Sequence, residues 1–196
     1  MIEVRQTTSF AKWLDELRDT NARLRIVARI RRMELGNPGD VKSVGEGVSE
    51  MRITYGPAIG FISYLWEQLS LFCCVAATSH HRAGILRWRN KWRRRFRMVL
   101  ETTRFDVLDH LKTPEERVAY LEAAFEDGDP SLVAHALGDV ARSIGMTTVA
   151  KEAGITREAL YRSLSENGDP KLSTLLGVMK ALGLHLSVTA TDKRAA

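Results

Sequence analysis

The chain contains two cysteines, Cys73 and Cys74, and they are adjacent. A disulfide framework is therefore excluded, and no second pair is left to complete a zinc site. No stretch approaches the roughly eighteen uncharged apolar residues that a membrane helix needs. The N-terminus sets Glu3 and Arg5 inside an alternating pattern and lacks the apolar centre of a signal peptide. These absences predict a soluble, cytoplasmic protein with no membrane partner, no metal and no cofactor. Acidic residues are missing altogether from residues 68–97, a gap that any account of the chain has to explain.

What is present is a 196-residue chain with 44% hydrophobic residues, enough for a packed core in one domain or two small ones. The net charge is +5, but its distribution matters more than its sum. Residues 1–67 carry ten Lys/Arg and nine Asp/Glu, residues 68–97 carry eight and none, and residues 98–196 carry eleven and fifteen. The excess basicity thus lies in one window, and the C-terminal half is acidic.

Residues 2–7 alternate as a strand does. Phe10, Trp13, Leu14 and Leu17 then fall at helical spacing, with Ser9 placed to cap the helix. A second helix sets Leu24, Val27, Ile30 and Met33 on one face and closes at Gly36-Asn37-Pro38-Gly39. Residues 41–44 and 48–55 read as two strands joined by a tight turn at Gly45-Glu46-Gly47. From Ala58 the texture changes: residues 70–77 are apolar without turn residues, and residues 86–97 interleave Trp88, Trp92 and Phe96 with seven basic residues. Such a segment binds nucleic acid or an acidic membrane, or serves as a solvated linker. Helices are predicted from Thr113-Pro114-Glu115-Glu116 to Phe125, from Asp129-Pro130 to Gly145, and over roughly 147–153, 156–165 and 171–182. Residues 185–189 alternate as a short strand.

The most informative motif is Thr147-Thr148-Val149-Ala150-Lys151-Glu152-Ala153-Gly154-Ile155-Thr156-Arg157-Glu158-Ala159-Leu160-Tyr161-Arg162-Ser163-Leu164. It has the layout of a helix-turn-helix: small Ala150 where two helices touch, Gly154 at the turn, Ile155 and Leu160 as core plugs, and Thr156 as the cap. Candidate DNA contacts are Thr147, Thr156, Arg157, Glu158, Tyr161, Arg162 and Ser163, since Arg pairs with guanine edges while hydroxyls hold phosphates. The plain alternative is a three-helix bundle with a solvated face.

Residues 98–190 resemble a HigA-type antitoxin of the λ-repressor-like class. The resemblance rests on Leu121-Glu122-Ala123-Ala124-Phe125-Glu126-Asp127-Gly128-Asp129-Pro130, Ala136-Leu137-Gly138-Asp139-Val140-Ala141-Arg142, Arg157-Glu158-Ala159-Leu160-Tyr161 and Ala181-Leu182-Gly183-Leu184. Met98 stands where such a protein would begin. The resemblance implies a homodimeric, operator-binding protein that neutralises a cognate toxin and represses its own operon.

The first part resembles the matching HigB-like toxin of the RelE superfamily, which cuts messenger RNA on the ribosome. It does so through Phe10-x-x-Trp13-Leu14-x-x-Leu17, the Arg-rich second helix, Gly36-Asn37-Pro38-Gly39-Asp40, and Val44 to Ile53. That family continues G-P-G-Y-R-V-Y-F and later L-L-C-G-G-D-K, whereas this chain runs Gly56-Pro57-Ala58-Ile59-Gly60-Phe61-Ile62-Ser63. One string encoding these residues, GGC CCG GCT ATC GGG TTT ATT TCT, becomes GGC CCC GGC TAT CGG GTT TAT TTC on insertion of a single C, and then reads G-P-G-Y-R-V-Y-F. Phe72 to Ser79 permit L-L-C-G-G-D-K in the same shifted frame. The expectation is a toxin remnant at 1–57, an out-of-frame basic connector at 58–97, and an antitoxin at 98–196. The fold class expected is mainly α, with a small α+β N-terminal part that forms an incomplete RelE-like fold, followed by a λ-repressor-like helix-turn-helix domain.

Toxin chemistry needs placed basic groups near the scissile phosphate. Arg52 matches a family arginine, but the Arg of G-Y-R and the Lys of G-G-D-K are absent, and the sheet is expected to lose its last strands. No catalytic residue is assigned, and the chain is not expected to be an enzyme. Arg52 is kept only as an RNA contact of the remnant. His80-His81 receive no role, and Asp106, Asp109 and His110 are read as a solvated face. Three functions follow: a sequence-specific DNA-binding regulator, a residually active ribonuclease restrained in cis, and a toxin-binding module acting through residues 98–130.

Overall fold

The computed structural model describes residues 2–45, 48–53, 55, 59–66, 69–77, 101–165 and 168–188. His80, His81, Trp88, Trp92, Phe96 and the rest of the basic window beyond Ala77 lie outside them.

The chain opens with strand β1 (Glu3–Thr7), which runs directly into helix α1 (Thr8–Asp15). Thr7 provides the N-cap, its hydroxyl accepting from the Phe10 N–H at 3.2 Å. The sequence reading assigned that role to Ser9. Thr7 takes it because its extended backbone ends the strand and its side chain reaches the third N–H beyond, which is the geometry a cap requires. Helix α2 (Thr20–Glu34) is capped by Asp19, which accepts from the Ala22 N–H at 3.0 Å. The predicted apolar stripe of Leu24, Val27, Ile30 and Met33 is buried as expected, and Ile26, Arg29, Arg31 and Glu34 are buried with it.

Burial on more than one side follows from the position of α2. It packs against the sheet through β1 and β3 (Val48–Ile53), and against two helices of the C-terminal part, α3 (Pro114–Asp127) and α4 (Pro130–Ile144). Polar residues on its second face therefore lose contact with water and need partners within the protein.

The sheet has the order β2-β3-β4-β5-β1-β6, with β2 at Val41–Gly45, β4 at Ile59–Trp66, β5 at Leu69–Ala77 and β6 at Thr102–Arg104. Only β1 and β5 pair in parallel among these neighbours; the other pairs are antiparallel. This corrects one expectation, since the sheet does not end at β3. The segment read as a connector supplies β4 and β5, and its run of Ile, Phe, Tyr, Leu, Cys and Val suits an extended, paired backbone whatever its origin. At the other edge, β6 comes from the far side of the chain and pairs antiparallel with β1, Gln6 opposite Thr103. Arg5 secures the join, donating from Nε to Thr102 Oγ1 at 2.9 Å and from an Nη to the Thr102 carbonyl at 3.0 Å.

Seven α-helices are found among the described residues, so the protein is mainly helical. A short 3-10 helix (Val107–His110) leads into α3. There Thr113 and Glu116 form a reciprocal capping box with Pro114 at the first helical position, as the local sequence predicts. Asp129 caps α4, which ends at Gly145. Helices α5 (Met146–Glu152), α6 (Arg157–Ser163) and α7 (Leu172–Ala181) follow, the last of the described helices. Gly138 on α4 lets the end of α6 approach closely, because a Cβ there would lie 3.2 Å from the Leu164 carbonyl oxygen.

Two further expectations are corrected. His110 is not on a solvated face: it is 4% exposed, its ring stacks on Phe105 at 5.3 Å between centroids, and only Asp106 and Asp109 are exposed. The 3-10 turn points His110 inward, where ideal α-helical spacing would have grouped the three residues. Residues 185–188 form no strand and are exposed; among the described residues no neighbouring strand pairs with them, and an unpaired strand gains no ladder hydrogen bonds.

One continuous apolar cluster joins the two parts. Val4, Phe10, Leu24 and Ile30 from the first part meet Tyr120, Ala124, Leu137 and Val140 from the second, and the cluster extends to Val149, Leu160 and Val178.

Candidate functional site

Two places in this fold concentrate polar side chains for stated reasons. The first is the exposed surface of α6. Helix α5 ends at Ala153, Gly154 turns the chain with φ +71°, and Thr156 caps α6 by accepting from the Ala159 N–H at 3.1 Å. A positive φ at the turn is where glycine is free of Cβ strain. Ala150 and Leu160 are buried, and Ile155 packs against the core. The turn, the cap and the buried positions thus fall where the local sequence places them.

Anchoring Leu160 inward leaves the other side of α6 to solvent. Thr156, Arg157, Glu158, Tyr161 and Arg162 are all exposed, and Thr147 is exposed on the first turn of α5, which packs on α6. The Arg157 guanidinium lies 5.4 Å from the Tyr161 ring centroid, and its hydrogen bond to Tyr161 raises its pKa further. Ser163 differs from the others: it is half-buried, and its hydroxyl donates to the Ala159 carbonyl at 2.8 Å. Arg52 lies on β3 with its backbone paired to Gly60 of β4. Six of the seven candidate DNA contacts are therefore exposed on two adjoining helices, Ser163 is half-buried on the second of them, and Arg52 lies in the sheet.

The second place was not foreseen from the sequence. Along α2, arginines face the carboxylates of α3 and α4. Arg23 bonds Glu116 at 2.6 Å, Arg25 bonds Glu126, and Arg29 lies 3.7 Å from Asp127. Arg32 bonds Asp127 at 2.6 Å and approaches Asp129 at 3.6 Å, while Asn37 donates to Asp129 at 2.7 Å. At the centre is Asp139, 1% exposed, which accepts from Arg31 Nε at 3.0 Å, from the Tyr120 hydroxyl at 3.0 Å and from Arg142. Arg31 also donates to Glu34 at 2.7 Å.

The electrostatics follow from this pairing. Burial alone would lower the Arg31 pKa, but Asp139, Tyr120 and Glu34 together prevail over it and raise the guanidinium above its ordinary value. Burial raises Glu34, and burial together with the adjacent Asp139 charge pushes the Tyr120 phenol well up, so it stays a neutral donor. Burial also works to raise Glu116 and Asp129. Hydrogen bonds from Arg23 to the first and from Asn37 to the second, with backbone N–H groups, prevail and hold both below the usual range. Glu126 is lowered chiefly by its bond from Arg25, which is raised in turn.

Two signals pointed to this interface. The α2 sequence places arginines at 23, 25, 29, 31 and 32, and the C-terminal half carries the acidic excess. Charge counting shows complementarity; only the fold shows which residues meet. Among the described residues no group of His, Cys, Asp and Glu is arranged to hold a metal, and no helix is long and apolar enough to cross a membrane.

Residues 101–190 match the family model described as "Probable addiction module antidote protein". One similar protein is an uncharacterized protein of Haemophilus influenzae, 44% identical over 84 residues, which amount to 43% of this chain and 87% of that protein. A second uncharacterized protein of the same organism is 42% identical over 67 residues, 34% of this chain and 66% of that protein. No solved structure matches the chain. The α3–α7 unit, with its capping box, its buried Asp139 and its exposed α6, falls wholly within the matched span, and through these residues the chain belongs to the family of probable addiction module antidote proteins.

Proposed function

We propose that the chain is a DNA-binding, antitoxin-type regulator of an addiction module that binds its operator as a homodimer in the cytoplasm, represses its own operon and neutralises a HigB-like toxin. The observation that carries the reading is the surface of α6: Leu160 and the Thr156 cap fix the helix, and Thr156, Arg157, Glu158, Tyr161 and Arg162 are left unburied together. A helix set in the major groove needs such an arrangement, with a rigid inner side and polar groups at its N-terminal end. Because the antidote-family half is acidic, specificity rests on these few residues and gains little from net charge.

The test is a salt series of mobility shifts with the full chain and the DNA upstream of its own coding sequence. Arg157→Ala is expected to cost about 1–3 kcal/mol of binding and to relax preference at one base position. Equal binding by the wild type and Arg157→Ala would refute the reading.

Residues 1–57 are a HigB-like toxin remnant, 58–97 an out-of-frame connector and 98–196 the antitoxin, joined when a frameshift removed the toxin's stop. Sequencing the coding DNA tests this: restoring one base near codon 58 should open a toxin frame ending near codon 98. The contact of α2 with α3 favours one second reading, a toxin with residual activity held in cis; RNA cleavage abolished by Arg52→Ala would support it.

A further inference from the structure

The contact between residues 3–34 and the antidote-family segment has the composition of an interface between two proteins. It uses two devices at once. One is strand addition, in which β6 lies on the β1 edge, the Phe105 N–H donates to the Val4 carbonyl at 3.0 Å, and Arg5 clamps Thr102. The other is the arginine ladder of α2 against Glu116, Glu126, Asp127, Asp129 and Asp139.

Charge is segregated across it: the bonding groups of α2 facing the second part are arginines, and those facing back are carboxylates. Sequence separation between the partners runs from 93 to 108 residues. Contacts of that range, sorted by sign, with an added edge strand, are the means by which a peptide-like segment recognises a folded partner.

We infer that β6 together with the acidic side of α3 and α4 is the partner-binding surface of the antidote-family segment. The partner it fits is a protein presenting an open β-edge followed by an arginine-bearing helix with the spacing of α2. In this chain residues 3–34 supply that partner in cis and occupy the surface, so a separate protein of the same kind has to displace them to bind. The inference rests on the antitoxin reading only in supplying the reason for such a surface; the geometry stands without it.

A full-length chain with a protease site inserted between residues 90 and 91 tests the inference once it has been cut. The two pieces should stay together on size exclusion at low salt. Arg25→Glu with Arg32→Glu should release them, lowering the salt concentration for half-dissociation severalfold, and adding Glu126→Arg with Asp127→Arg should restore association. Restoration by reversed charges separates a lost contact from a failure to fold. Separation of the cut wild-type chain at low salt, or failure of the fourfold variant to recover, would overturn the inference. Mobility shifts on the same uncut variants read DNA binding independently, so loss of one property leaves the other measurable.

Discussion

Arg31 and Asp139 stand 108 residues apart in the chain and meet at 3.0 Å in a setting where neither is more than 10% exposed at its side chain. The bond crosses from α2 to α4 and ties the first part of the chain to the antidote-family part. Its other ligands, Tyr120 and Arg142 on Asp139 and Glu34 on Arg31, satisfy most of the remaining polar valences. A buried pair completed in this way is costly to break from one side, because the surviving charge is left without a partner.

Asp139→Asn should therefore destabilise the chain by about 3–5 kcal/mol in urea unfolding. Tyr120→Phe should cost less, about 1.5–3 kcal/mol, since it removes one hydrogen bond to a charged acceptor that keeps two arginines. A double-mutant cycle between Arg31→Met and Asp139→Asn should show strong coupling. Additive effects of the two substitutions would contradict the pairing.

The sign of the pH dependence follows from the shifted groups. Glu116, Glu126 and Asp129 have folded pKa values below their ordinary ones, so the stability they provide is present above about pH 4–5 and is lost as pH falls through the lowered values. His110 acts earlier. Burial lowers its pKa despite Asp15 at 3.8 Å, so its contribution is complete above its ordinary value of 6.5 and disappears on acidification. Glu34, raised by burial, opposes the trend at acid pH. Thermal melting points should fall in two stages on acidification, and His110→Phe should remove the first. A single stage unaffected by that substitution would count against the buried neutral imidazole.

Much of this was legible in the sequence, and the limits have physical causes. The α3 cap was readable because Thr113, Pro114 and Glu116 act over four residues; the turn at Gly154 and the cap at Thr156 were readable for the same reason. What local pattern could not supply was partner identity. Arg23, Arg25, Arg31 and Arg32 are legible in the sequence only as an Arg-rich helix, and it is the fold that sets α3 and α4 against them. The strands at 59–66 and 69–77 were not legible from the family pattern, because a departure from that pattern at Ala58 does not remove the strand preference of the residues that follow. The burial of His110 was not legible because a 3-10 turn departs from the α-helical spacing that would group it with Asp106 and Asp109.

Thr113→Ala should cost about 1 kcal/mol, the usual value for a lost N-cap. Its local signature is faster amide hydrogen exchange at Glu116, whose N–H bonds the Thr113 hydroxyl at 3.2 Å. Exchange unchanged at that amide would show that the capping box does not persist in solution.

Gly154→Val should strain the turn between α5 and α6, where φ is +71° and a β-branched side chain is disfavoured by at least about 1–2 kcal/mol. DNA affinity should fall more than global stability does, since α6 would be misaimed while the Asp139 network stays intact. A parallel loss of both would indicate that the turn serves packing alone.

Nuclease footprinting of the full chain on the DNA upstream of its own coding sequence tests the central claim most directly. The account predicts two protected half-sites related by two-fold symmetry and spaced by about one helical turn, roughly 10 base pairs, with protection lost when Arg157 and Arg162 are both changed to alanine. Absence of protection at any protein concentration below that needed to coat unrelated DNA, or protection that survives the double substitution, would contradict it.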